Sequence, residues 1–98
     1  MPTVKLTANF EDWLSGIKDG MTRRRLGRRL EKAQAGNLGD VASVGAGVCE
    51  MREHFGPGWR MYYMQKGDVL IVMLGGGDKA TQSADIVAAK KLAATLED

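Results

Sequence analysis

Three apolar-rich runs follow one another with almost nothing between them: GVCEMRE (47–53), WRMYYMQ (59–65) and DVLIVML (68–74). The intervening FGPG and QKGD are too short to carry a helix, and tight turns join antiparallel neighbours. The chain is therefore expected to hold a meander of three antiparallel strands. The third run is apolar on both sides, as a covered central strand reads.

The rest of the chain is expected to pack against that meander. Val4-Lys5-Leu6-Thr7 alternates and predicts a short first strand. Phe10, Trp13, Leu14 and Ile17 recur at the spacing of one buried helix face, with Asn9 as the expected N-cap. Asp19-Gly20 breaks that helix, and Thr22 is expected to cap a second that runs to about Ala35, where Gly36-Asn37 ends it. The segment 36–47 reads as a glycine-rich loop, and Thr81 to about Leu96 as a last helix with Ile86, Ala89, Ala93 and Leu96 inward. The expected order is β-α-α-β-β-β-α. This is a small α+β fold: a twisted, mainly antiparallel sheet, an N-terminal helical hairpin and a C-terminal helix, with the helices on one face.

At 98 residues the chain is one domain, 1–98. The longest apolar run, VLIVML, falls far short of the ~20 residues of a membrane helix. The N-terminus has no basic stretch leading into an apolar segment, so no secretion signal is expected. A single cysteine, Cys49, forms no internal disulfide and no metal framework. A cytoplasmic protein without cofactor or metal, and with no membrane partner, is the expectation.

Net charge is only +2, yet five of the fourteen Lys and Arg residues fall within 23–29. On the second helix Arg24, Arg25, Arg28, Arg29 and Lys32 are expected to form a basic ridge opposite Leu26, Leu30 and Ala33. Such a ridge suits an anionic partner, although a solvated helix face reads the same way.

Strand alternation then sorts the polar residues. If Cys49, Met51, Met61 and Tyr63 face the helices, Glu50, Arg52, Arg60 and Tyr62 share the opposite face, which is expected to be open. Lys79 of GGGDK and His54 are expected beside them. GGGDK lacks the GxxxxGK[ST] spacing of a nucleotide-binding loop. Three cations, a carboxylate, a phenol and an imidazole suit RNA cleavage without a metal. Arg52 and Arg60 would hold the phosphate. Glu50 or Lys79 would act as base, and Tyr62 or His54 would stack on a base or carry a proton.

The ordered set FEDWL (10–14), RRRLGRRL (23–30), GNLGD (36–40), VGAGVCEMR (44–52), FGPGWRMYY (55–63) and LGGGDKATQ (74–82), with DI at 85–86, resembles the "addiction module killer protein" group. These are HigB-like toxins of the RelE/ParE superfamily in type II toxin–antitoxin systems. The resemblance implies a RelE-like toxin domain, a ribosome-dependent mRNA endoribonuclease that inhibits translation. It also implies a cognate, HigA-like helix-turn-helix antitoxin that neutralises the toxin and through which alone it reaches operator DNA. The arginine of the family's G-[YF]-R strand start matches Arg60, and the basic residue after the last strand's glycines matches Lys79. Arg52 matches the arginine that ends the preceding strand. Ala42 stands where the group's loop carries a lysine, and Val48 and Glu50 stand where RelE itself has lysines, so either Glu50 takes the base role or catalysis is weaker here. The ridge would serve rRNA phosphates or an acidic antitoxin segment. The alternatives are a ParE-like inhibitor of DNA gyrase without nuclease activity, and a non-toxic component of an antitoxin–DNA repressor complex.

Overall fold

A computed structural model of the chain describes residues 1–96. The elements run β1 (Thr3–Leu6), α1 (Ala8–Ser15), α2 (Gly20–Gln34), β2 (Val41–Gly45), β3 (Val48–Arg52), β4 (Arg60–Lys66), β5 (Leu70–Gly77), one 3-10 turn (Lys79–Thr81) and α3 (Gln82–Leu96). They form one five-stranded sheet in the order β1-β5-β4-β3-β2. β1 pairs with β5 in parallel, and the other pairs are antiparallel.

The meander β3–β4–β5 stands as its turns require. What differs is a fourth antiparallel strand, β2, inside the segment expected to be a loop. Only VASVG carries it, and the glycines at 36, 39, 45 and 47 around it read as loop. The strand is held by pairing with β3, Val41 against Met51 and Ser43 against Cys49, so a tertiary partner overrides weak local preference.

The larger correction concerns layers. The helical hairpin covers one face, where Phe10, Leu26, Ala33, Met51, Met61, Ile71 and Met73 are fully buried. α3 covers the other face and not the same one, packing Ala89 and Ala93 on Val48, Tyr62, Met64, Val72 and Leu74. Each large apolar side chain taken from water contributes about 1.5–3 kcal/mol, so both faces drive folding. The sheet face expected to be open is therefore occupied along much of its length.

Caps also shift. Thr7, not Asn9, caps α1, its hydroxyl accepting from the Phe10 N–H, while Asn9 donates its amide to the Leu74 carbonyl at 2.8 Å. Asp19, not Thr22, caps α2; Thr22 is buried and donates its hydroxyl to Asp19.

Gly75–Gly77 do not form a turn but continue β5. They thin the strand where layers press from both sides. A Cβ on Gly76 would lie 2.5 Å from the Trp13 ring under α1, and one on Gly77 would lie 1.8 Å from an Asp85 carboxylate oxygen on α3. Any side chain there would force the Trp13 ring or the Asp85 carboxylate to move.

Candidate functional site

The loop 53–59 between β3 and β4 gathers most of the predicted site around one side chain. Arg60, the first residue of β4, donates through Nη1 to the carbonyls of Glu53 (2.9 Å) and Trp59 (3.2 Å), so the loop is wrapped around its guanidinium. Trp59 anchors the same loop on the core, its ring edge-on to Trp13 at 6.2 Å between centroids. Arg60 is only 7% exposed.

Lys79 reaches this loop from the other side. Its backbone N–H donates to the Pro57 carbonyl at 3.4 Å. A Cβ built on Gly58 would lie 3.3 Å from Lys79 Cβ and 3.7 Å from Arg60 Nη1, so both side chains flank one glycine. Gly58 sits at φ +79°, in the left-handed region where a side chain is strained. The Lys79 ammonium is exposed and makes no ion pair among the described residues.

Arg52 lies directly opposite Arg60 in the β3–β4 register. It pairs with Asp40 (Nη2 to Oδ1, 2.7 Å) rather than with Glu50. The second oxygen of Asp40 meets His54 Nε2 at 2.7 Å. Hydrogen bonds first from Arg52 and then from His54 hold the Asp40 carboxyl down at about 2, and the same contact raises Arg52 above its usual value. Nε of Arg52, Nε of Arg60 and the hydroxyl of Tyr62 are all buried without a hydrogen-bond partner among the described residues.

Three expected members of the open face prove to be covered: Arg60, whose guanidinium the 53–59 loop encloses, and under α3 Tyr62 and Glu50. Tyr62 does share a face with Arg60, but α3 buries it completely, so it offers no stacking surface for a base. Burial, together with the negative charges of Glu50 and Asp85, pushes its phenol up to about 12. Glu50 is 5% exposed and accepts from Gln82 Nε2 at 3.0 Å, which ties β3 to the first turn of α3. The corrections at Tyr62 and Glu50 have one cause: α3 lies on the face that alternation alone left bare.

The basic ridge divides. Arg24, Arg28 and Lys32 are exposed. Arg25 lies over the Phe55 ring, 3.8 Å from its centroid, which joins the ridge to the loop around Arg60. Arg29 leaves the ridge altogether. Its guanidinium donates to the carbonyls of Leu38, Asp40 and Arg52 and pairs with the Glu53 carboxylate, with only 12% of the side chain exposed. It clasps α2 to the ends of β2 and β3, and so positions the backbone of both Asp40 and Arg52.

Asp40 and Glu53 were not anticipated. Asp40 is the sole acid in the 36–47 segment, which is the one sequence signal that singles it out. Among the described residues, no three His, Cys, Asp or Glu side chains gather as a metal-binding group, and no helix is long and apolar enough to cross a membrane.

Fold and site together define a small α+β protein with a mixed five-stranded sheet covered on both faces and a cationic rim at the β3–β4 end. No family model matches the chain. It is similar to a Haemophilus influenzae protein that carries the name "Uncharacterized protein", with 41% identity over 93 residues, 95% of this chain and 94% of that one. The chain belongs to the family of that protein.

Proposed function

We propose that the chain is a RelE-like toxin of the HigB-like group, an endoribonuclease that cuts mRNA on the ribosome and is neutralised by a helix-turn-helix antitoxin. The observation that carries this reading is the meeting of Arg60, Arg52 and Lys79 at one loop. Two guanidiniums stand in cross-strand register, each with a buried Nε that no acceptor among the described residues meets. A phosphate would meet this group through its exposed ends, the Lys79 ammonium and the partly exposed Arg52 guanidinium, with Arg60 fixing the loop behind them. A phosphodiester brings several acceptor oxygens and a charge of the right sign.

Cleavage raises the charge on those oxygens as the 2′-oxygen attacks. Donors set around the phosphorus therefore hold the transition state more tightly than the substrate. Arg60 is the preorganised member, fixed by two carbonyls. Lys79 is the exposed one, with no ion pair among the described residues to hold its ammonium from developing charge. Glu50, buried and tied to Gln82, serves to hold the first turn of α3 rather than to touch RNA. Exposed Arg24, Arg28 and Lys32 bind rRNA phosphate without regard to sequence, and their affinity falls with salt.

Induction of the gene alone, with mapping of mRNA 5′ ends in the presence and absence of translation, tests the reading. Growth arrest with new ends confined to translated mRNA is expected. The exposed substitution Lys79→Ala should remove both while the protein stays folded. Arrest with DNA breaks and intact mRNA would overturn the reading in favour of a gyrase inhibitor, and no arrest at all would leave a non-toxic partner of the antitoxin.

A further inference from the structure

With Glu50 covered, proton transfer needs another group, and the rim holds one. We infer that His54, oriented by Asp40, takes the proton from the attacking 2′-hydroxyl, with Asp40 as its positioning residue. This inference rests on the nuclease reading of the same site.

The geometry is that of a base with its orienting partner. The Asp40 carboxylate spans two groups, accepting from Arg52 Nη2 on one oxygen and meeting His54 Nε2 on the other, each at 2.7 Å. A carboxylate accepts, so the neutral ring carries its proton on Nε2 and leaves Nδ1 as a free acceptor. His54 is 74% exposed, open to a strand of RNA. It follows Glu53, whose carbonyl is bound by Arg60 Nη1, so the same loop carries the base and wraps the guanidinium. The remaining charge nearby is accounted for: Glu53 is paired with Arg29 of α2, and Arg52 is held by Asp40.

In the step, Nδ1 of His54 receives the 2′-hydroxyl proton as the O2′–P bond forms. The P–O5′ bond breaks with its electron pair on the 5′-oxygen, which takes a proton from the Lys79 ammonium. The products are a 2′,3′-cyclic phosphate and a 5′-hydroxyl. Water carries the proton from the imidazolium back to Lys79.

His54 is the single histidine of the chain, so its ionisation can be followed by NMR without assignment ambiguity. The experiment compares mRNA cleavage on programmed ribosomes by the wild type, His54→Gln and Asp40→Asn as a function of pH, with the imidazole titration measured on each folded protein that retains it. His54→Gln is expected to lose about 10²–10⁴-fold in kcat with KM little changed. The amide of Asp40→Asn donates to Nε2 and favours the other tautomer, so kcat should fall there too. The acidic limb of the rate profile should follow the imidazole titration measured on the same protein, and it should be absent from His54→Gln. Cleavage by His54→Gln at the wild-type rate, or an acidic limb that does not follow the measured imidazole titration, overturns the inference and leaves the nuclease reading intact. No cleavage by the wild type overturns both.

Discussion

Arg29→Ala separates the role the structure assigns from the one its sequence position suggests. The substitution removes donors from three carbonyls, of Leu38, Asp40 and Arg52, and strips the Glu53 carboxylate of its partner. Both members of the ion pair are largely covered, 12% and 14% exposed. Removing one partner of a buried pair costs about 3–5 kcal/mol, because the other is left charged and unpaired. The total stability of a domain this size is about 5–15 kcal/mol, so the loss is a large fraction of it. Urea unfolding followed by circular dichroism reads this as a lower midpoint at unchanged slope. Arg29→Lys keeps the charge but not the planar fork and should fall between. Arg28→Ala, one position earlier and exposed, should stay within about 0.5 kcal/mol of the parent. A loss below 1 kcal/mol for Arg29→Ala, or an equal loss at both positions, would refute the clasp.

Gly77→Ala would drive a Cβ to 1.8 Å from Asp85, so it should destabilise by about 1–3 kcal/mol in the same assay, and Asp85→Ala in the same chain should restore most of that. Asp40 is depressed from 3.8 to about 2, so its stabilising contribution is present above the unfolded value and is lost as pH falls through the folded one. Thermal unfolding between pH 5 and pH 1.5 should show a steeper decline for the wild type than for Asp40→Asn. Replacing Arg24, Arg28 and Lys32 together by Gln should leave stability nearly unchanged. It should flatten the salt dependence of ribosome binding by about 2 in log–log slope.

The sheet was legible where alternation and short turns coincided. Met51, Met61 and Tyr63 face the helical hairpin as their spacing demands, and Arg52, Arg60 and Tyr62 share the opposite face. The sheet face that receives α3 was not legible: Ala89 and Ala93 turn inward as their spacing predicts and Leu96 does not, but an inward stripe says nothing of which side of the sheet it packs on. With that helix on the second face, Glu50 and Tyr62 pass from candidate chemistry to packing. β2 was hidden by its own glycines. Arg29 shows a different limit: helical periodicity locates a Cα, while a long side chain carries its charge well away from that point. The pairing of Arg52 with Arg60 across strands was readable from the short turn, while the burial of Arg60 was not. Nor was Asp40, because its role depends on a β2–β3 pairing that brings positions 40, 52 and 54 together.

The central claim is that Arg60, Arg52 and Lys79 act on a phosphodiester. The most direct measurement is end analysis of a short mRNA incubated with programmed ribosomes and the purified protein, wild type beside Lys79→Ala and Arg60→Lys. The account predicts fragments ending in 2′,3′-cyclic phosphate and beginning with 5′-hydroxyl, made by the wild type and reduced at least 10²-fold in each variant. Intact mRNA with the wild type, or equal cleavage by all three folded proteins, would contradict it.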